Sequence, residues 1–227
     1  MKNYFTKFEA ALWALSVSLI VLSFAIFGGG DTLSFIASLI GVTSLIFCAK
    51  GNPIGQVLMI VFSVLYSVIS YTFAYYGEML TYAGMTLPMS VFSLVSWLKN
   101  PYKGRRSEVA VNRLKRREIP LMAVLTAIVT AVFYFILRHF GTANLIPSTV
   151  SVTTSFLAVY LTFRRSPFYA IAYAANDVVL IVLWTLAVIR DFSYVSVLVC
   201  FAVFLVNDIY GFISWRRMEL RQNQQLQ

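Results

Sequence analysis

Two acidic residues within long apolar stretches are the first candidates for chemistry. Asp177 and Asp208 each follow an asparagine, as Asn176-Asp177 and Asn207-Asp208, and neither stretch holds Lys or Arg at that depth. An Asp inside a membrane without a cationic partner must be protonated, face water or face a polar ligand. We therefore interpret both pairs as substrate-binding groups, although Asn and Asp also serve to hold membrane helices together.

Aromatic residues share helical faces with these pairs. In the stretch with Asp177, helical spacing aligns Tyr169, Tyr173, Asp177 and Trp184, and in the last stretch it aligns Asn207, Tyr210, Gly211 and Ser214. Aromatic side chains stack on a flat heteroaromatic ring, while amide, hydroxyl and carboxyl groups hydrogen-bond its edges. We expect a pocket near mid-membrane that is completed by weaker candidates in the first half of the chain, Ser63, Tyr66, Thr86 and Ser90.

The chain lacks the residue patterns of an enzyme or a metal site. His139 is the single histidine, and Cys48 and Cys200 both lie in apolar runs. No cysteine pair has metal-ligand spacing, no Gly-rich phosphate loop is present, and no Ser-His arrangement supplies a nucleophile and its base. We expect neither enzymatic activity nor a cofactor.

Eight apolar stretches position these residues. Of the 227 residues, 59% are hydrophobic and 12% are charged, whereas about 25% are charged in soluble domains. Spans long enough to cross a bilayer are predicted at residues 8–27, 32–49, 54–76, 79–98, 119–138, 144–163, 168–189 and 193–215. Turn residues separate them, among them those at positions 28–30. The prediction is an all-α integral membrane protein.

Charge distribution orients these spans. With the N-terminus in the cytoplasm, 16 of the 18 basic residues lie on the cytoplasmic side, and only Arg138 and Arg190 lie outside. This asymmetry predicts eight spans with both termini cytoplasmic. We interpret the net charge of +9 as topology, not as a sign of nucleic-acid binding, and the basic segment from Lys99 to Glu118 as a solvated loop. Trp97 and Trp215, each beside basic residues, are expected in the interfacial aromatic belt.

Two parts of the chain resemble each other. Residues 32–100 and 144–217 each contain three spans, a proline at the inward turn, an acidic residue at the outward turn, and a final Ser-Trp followed by a basic residue. One span lies between them, so both copies have the same orientation, as in parallel repeats. The predicted organisation is 1+3+1+3: an extra helix (1–31), the first repeat (32–100), a basic loop and linker helix (101–143), the second repeat (144–217) and a cytoplasmic tail (218–227).

Three stretches resemble the PnuC family of nicotinamide riboside transporters. They are Lys50-Gly51-Asn52 through Gly55 to Tyr66, Tyr76-Gly77-Glu78-Met79 with Pro88-Met89 and Trp97, and Asn207 through Tyr210-Gly211 to Trp215. The resemblance implies a SWEET-like fold of parallel repeats in a bacterial cell membrane. It also implies uniport of a precursor for NAD biosynthesis by facilitated diffusion, with the substrate trapped inside by phosphorylation. The implied partners are a small molecule and the bilayer, and a homo-oligomer stays open.

Departures from the family pattern leave the substrate open. Tyr169 and Ala172 stand where members have tryptophans three apart, and Ser90 and Ser93 replace a Gln and a Gly. Thiamine, riboflavin or deoxynucleosides are therefore alternatives to nicotinamide riboside. A binding subunit of an ATP-driven vitamin importer is a further alternative, but such subunits typically have six spans, which disfavours it.

Overall fold

The computed structural model describes residues 4–27, 31–72, 76–142 and 144–225; the turn predicted at residues 28–30 lies outside these ranges. The helices of the described residues are α1 (Lys7–Phe27), α2 (Thr32–Ala49), α3 (Ile54–Thr72), α4 (Tyr76–Thr81), α5 (Leu87–Lys99), α6 (Glu118–His139), α7 (Leu145–Phe163), α8 (Tyr169–Val188) and α9 (Val195–Gln224). A π-helical turn, Tyr82–Thr86, joins α4 to α5. Eight helices of this part of the chain are long and apolar enough to cross a membrane, α4 and α5 together forming one of them, as the hydropathy predicted.

Six of the spans form a closed ring. Around it α2 packs against α3, α3 against α5, α5 against α7, α7 against α8, α8 against α9, and α9 against α2. Two helices lie outside the ring: α1 packs against α2 and α9, and α6 packs against α7. The ring therefore encloses a central axis to which all six helices contribute one face.

The π-helical turn has a local cause in the sequence. Pro88 stands at the start of α5, and a proline cannot donate the hydrogen bond that would continue a regular helix through this point. The wide turn of residues 82–86 accommodates that missing bond. It also brings Tyr82 and Thr86 to the central axis, where both line a cavity. The irregularity of this span is thus a π-helical turn that directly precedes Pro88.

The end of the bundle where Lys50, Lys99, Arg164 and Arg216 lie is called the basic end below. The loop at this end contains an ordered hairpin, and residues 103–107 of it are exposed, as expected for a solvated segment. Strands β1 (Pro101–Tyr102) and β2 (Arg105–Val109) form an antiparallel hairpin. Lys103 and Gly104 form its two-residue loop with φ of 48° and 76°, both positive as in a type I′ turn.

Residues 109–112, called the strap below, continue from this hairpin across the basic end. The N–H of Val109 donates to the carbonyl of Gly51 at 2.9 Å, and that of Asn112 donates to the carbonyl of Arg165 at 3.0 Å. These acceptors belong to the two predicted inward turns, one in each half of the chain. The strap therefore connects both halves through backbone hydrogen bonds, which a sequence pattern of charges does not reveal.

Helix α9 extends farther than predicted. It continues to Gln224, beyond the expected end at residue 215 and into the predicted tail. Met218, Glu219 and Gln222 are buried because the strap and hairpin cover this part of the helix. Gln222 accepts a hydrogen bond from the N–H of Val111 at 2.8 Å and donates to the carbonyl of Val109 at 3.1 Å.

Candidate functional site

A narrow cavity lies on the axis of the ring. Its volume is about 30 Å³, room for a water molecule but not for a vitamin-sized ligand, which occupies about 300 Å³ or more. Every helix of the ring, with the π-helical turn standing for the α4–α5 span, supplies lining residues: Gly41, Leu45, Met59, Phe62, Tyr82, Thr86, Ser155, Tyr173, Asn176, Asp177, Phe201, Phe204 and Asp208. The ring is therefore nearly closed around a small polar centre.

Asp177 and Asp208 meet in this cavity. Helix α8 supplies the first and α9 the second, and both side chains line the cavity. No Lys or Arg is among the described residues that line the cavity. The pair therefore presents carboxyl oxygens to the centre without a basic side chain to neutralise them.

Asn176 is held by three hydroxyl groups of α7. Its Oδ1 accepts from Ser151 at 3.1 Å, Thr154 at 2.9 Å and Ser155 at 3.0 Å. These contacts hold the side-chain amide of Asn176 against α7. Its Nδ2 group donates to none of the residues that the structure describes, while Asn176 lines the cavity. Two N–H donors are therefore available to a ligand on the axis.

A larger aromatic cavity adjoins the centre on the side away from the basic end. It has a volume of about 220 Å³ and shares Phe62, Phe201 and Phe204 with the central cavity. Tyr66 and Trp184 also line it, and the planes of Trp184 and Phe201 lie 16° apart with ring centroids at 6.4 Å. Three phenylalanine rings thus separate this cavity from the polar centre.

A wider mouth follows at the far end of the bundle. Its volume is about 530 Å³, and Trp184 and Tyr194 line both it and the aromatic cavity. Glu78 at its wall accepts a hydrogen bond from the hydroxyl of Tyr66 at 2.8 Å. Asp191 also lines the mouth, and hydrogen bonds from Ser193, the backbone N–H first, lower the pKa of its carboxyl group. Arg190 lines the mouth as well, so a path lined by aromatic groups and by charged groups of both signs leads from this end to the centre.

The basic end is closed by aromatic side chains. Trp97 and Trp215, 1% and 0% exposed, lie with ring centroids 5.3 Å apart, and Tyr169 lies 4.9 Å from Trp215. The expectation that both tryptophans lie in an interfacial belt was therefore wrong. Their indole N–H groups donate to backbone carbonyls of neighbouring helices. A tryptophan can make such a bond inside the bundle and need not face the lipid.

The structure brings most of the predicted site residues to the axis. The central cavity holds five of them, Thr86, Tyr173, Asn176, Asp177 and Asp208, and the aromatic cavity holds Tyr66 and Trp184. Tyr169 belongs to the closed basic end. The shared face predicted for α8 is thus confirmed, and its residues are distributed along the whole length of the axis.

Four predicted residues lie elsewhere. Asn207 donates from Nδ2 to Ser16 of α1 at 2.9 Å, and the hydroxyl of Tyr210 donates to Glu9 of α1 at 2.9 Å. Neither lines the central cavity, because the polar face of α9 that holds them is covered by α1. Ser63 and Ser90 are buried without lining this cavity, and the hydroxyl of Ser63 donates to a carbonyl of its own helix.

Several cavity residues were missed by sequence reasoning. Ser155, Tyr82 and the three phenylalanines that separate the cavities carry no charge, and such residues are common in any membrane helix. A signal was nevertheless present: Phe201, Phe204 and Asp208 recur at helical spacing, which places them on one face of α9. The face that contains Asn207 carries more polar side chains, and the sequence pattern therefore favours it although Asp208 was also predicted.

Comparisons with known proteins agree with this architecture. A family model described as nicotinamide mononucleotide transporter matches residues 31–217. A relative described as nicotinamide riboside transporter PnuC, from Neisseria mucosa, is 26% identical over 224 residues, covering 97% of this chain and 85% of the relative. A crystal structure of the vitamin B3 transporter PnuC superposes with a TM-score of 0.83 at 25% identity, covering 96% of this chain and 94% of that one. The chain thus belongs to the PnuC family of nicotinamide mononucleotide transporters, a family of membrane transporters and not of enzymes.

Proposed function

We propose that this chain is a uniporter that takes up nicotinamide riboside, or a closely related vitamin precursor, by facilitated diffusion. The observation that carries the proposal is a row of three cavities along the axis: the mouth, the aromatic cavity and the polar central cavity. The basic end beyond the central cavity is closed. A transporter that alternates access needs such a site with one side closed at a time. Trapping by an intracellular kinase would make the uptake one-way without any ATPase site in this chain.

The repeat organisation supports this mechanism. We assign the halves as 1+3+1+3, with residues 32–100 and 144–217 as parallel repeats and with α1 and α6 as the additional helices. Each additional helix packs on the first span of the half that follows it, α1 on α2 and α6 on α7, as expected if an axis along the membrane normal relates the halves, and α1 also packs on α9. Following the positive-inside rule, we propose that the basic end and both termini lie in the cytoplasm and that the wide mouth faces outward.

The chemistry of the axis suits a ring that carries hydroxyl groups and positive charge. Trp184 and Tyr66 offer aromatic faces for stacking and cation–π contact. Asn176 offers two N–H donors, and Asp177 and Asp208 offer oxygen atoms. The pyridinium ring and ribose of nicotinamide riboside match these groups. Thiamine, also a cation, fits them better than the uncharged riboflavin or deoxynucleosides do.

The deciding experiment is uptake by purified protein in liposomes. Labelled nicotinamide riboside, thiamine and deoxyadenosine would be supplied separately, without ATP and with equal pH on both sides. We expect saturable equilibration of nicotinamide riboside, with empty liposomes as the control. Uptake of thiamine alone would reassign the substrate, and uptake that requires ATP and a second protein would point to the importer-subunit alternative. No uptake of any compound above empty liposomes would reject the proposal.

A further inference from the structure

We infer that the Ser96-Trp97 and Ser214-Trp215 pairs are the gate at the basic end and that the strap is its latch. The first pair donates from α5 to the last carbonyls of α7: the Trp97 indole to Thr162 at 3.0 Å and the Ser96 hydroxyl to Phe163 at 2.9 Å. These bonds lie across one of the two seams at which the halves of the ring meet.

The second pair makes the equivalent bonds across the other seam. From α9, the Trp215 indole donates to the carbonyl of Cys48 at 2.8 Å, and the Ser214 hydroxyl donates to that of Ala49 at 2.7 Å. Each pair thus joins the third span of one half to the end of the first span of the other half. A ligand leaving at this end must separate the two tryptophans, which requires these four bonds to break or shift.

The gate lies directly beside the central cavity. Tyr173 lines that cavity and also packs against the cluster that contains Trp97, Tyr169 and Trp215. The two tryptophans are almost without exposed surface, so that solvent has no access between them. Movement of ligand past Tyr173 toward the basic end is therefore blocked by this cluster.

The strap holds the same helix ends from outside. Its bonds to Gly51 and Arg165 reach the turns that directly follow α2 and α7, whose final carbonyls accept from the tryptophans. Asn112 adds a side-chain bond to the carbonyl of Arg164 at 3.0 Å. Gln222 fixes the strap to α9. Separation of the seams would stretch this strap, so gate and strap must release together.

Two native cysteines make the inference testable without a substrate. Cys48 is buried in the gate cluster, whereas Cys200 lines the aromatic cavity on the other side of the centre. In a Cys200→Ser background, the rate at which a membrane-impermeant maleimide modifies Cys48 from the basic side reports opening of the gate. The inference rests on the proposed transport function, but this readout is independent of any transported compound.

The first test combines Trp97→Phe and Trp215→Phe. Phenylalanine keeps an aromatic ring and removes both indole donors, so we expect modification of Cys48 to become about tenfold faster. The matched control is Trp13→Phe, because the Trp13 indole donates to Thr43 at 3.2 Å on the outer helix α1, away from the gate. Unchanged modification in the double variant, with a melting temperature near that of the parent, would overturn the assignment of the gate.

The second test addresses the strap and does not alter the gate. Gln222→Leu removes its hydrogen bonds to the strap, and we expect faster modification of Cys48. Gln224→Leu is the control, since residue 224 is exposed on the same helix. Equal rates in the two variants would show that the strap is only a surface connection and would overturn its role as a latch. Loss of nicotinamide riboside uptake in the parent protein would reject the transport proposal while leaving both labelling results interpretable.

Discussion

The Nδ2 group of Asn207 lies 2.9 Å from the hydroxyl of Ser16, a residue of α1 that precedes it by 191 positions. Next to this contact, Glu9 of α1 accepts from Tyr210 at 2.9 Å and pairs with Lys50 at 3.2 Å. The additional N-terminal helix is thus fastened to the ring by polar contacts inside an apolar surrounding. Asn207 and Tyr210 therefore stabilise the packing of α1 on α9. Asn176 and Asp208 instead line the central cavity.

Replacing Asn207 by leucine should lower stability and leave ligand affinity unchanged. The side chain is 2% exposed, and its loss leaves Ser16 without this partner, at a cost of about 1–3 kcal/mol. Thermal unfolding in detergent would measure the change, at about 2–4 °C for each kcal/mol. A weaker affinity for nicotinamide riboside in calorimetry, at unchanged melting temperature, would contradict this placement.

Replacing Asn176 by leucine should lower ligand affinity and leave stability largely unchanged. The amide donors that face the cavity are lost, so that ligand groups stay unpaired at about 1–3 kcal/mol, which corresponds to roughly tenfold or more in affinity. Calorimetry with nicotinamide riboside tests this directly. Arg105→Ala, at an exposed position of the hairpin, is the control that should bind like the parent. Parental affinity in a folded Asn176→Leu protein would remove Asn176 from the site.

Gly41 is expected to control passage between the aromatic and central cavities. A Cβ atom at this position would lie 2.5 Å from Cζ of Phe204, a ring that borders both cavities. Gly41→Ala should push this ring aside into the path and slow uptake severalfold. Gly84→Ala is a matched control, because a Cβ atom there would meet nothing within 4 Å. Initial rates in liposomes that are equal for both variants would rule out this role for Gly41.

Uptake should not respond to an imposed proton gradient. Asp177 and Asp208 line the same small cavity on the axis, and as hydrogen-bonding groups for a ligand they need not gain or lose a proton during a uniport cycle. Counterflow of labelled nicotinamide riboside would be compared at equal pH and with the interior alkaline by about one unit. Accumulation above equilibrium under the gradient would establish coupled transport instead.

The membrane fold could be predicted from the sequence because lipid imposes a strong rule on it. A span needs about 20 apolar residues, and the boundaries of α2, α3, α6 and α7 accordingly lie within a few residues of the prediction. The sequence predicts less well which face of a helix points to the central axis. Helix α9 has one polar face with Asn207 and another with Asp208, and only the packing of α1 distinguishes them.

The tryptophans illustrate a second limit. A tryptophan at a helix end beside basic residues is typical of the lipid interface, and Trp97 and Trp215 both meet this description. The same position along a helix is also the end of the transport axis, where the indole N–H can bond a helix carbonyl. Depth in the membrane follows from sequence, but the direction of a side chain around the helix depends on neighbours from the other half.

The strap also has a consequence for the order of events during synthesis. Its backbone donors need acceptors at Gly51, at Arg165 and at Gln222, which leave the ribosome far apart in time. Val109 has 0% of its surface exposed in the folded protein. It can be covered completely only after the final turns of α9 have been synthesised. Nascent chains that stop shortly after the last transmembrane span lack Gln222 and would leave Val109 uncovered and the N–H of Val111 without its acceptor.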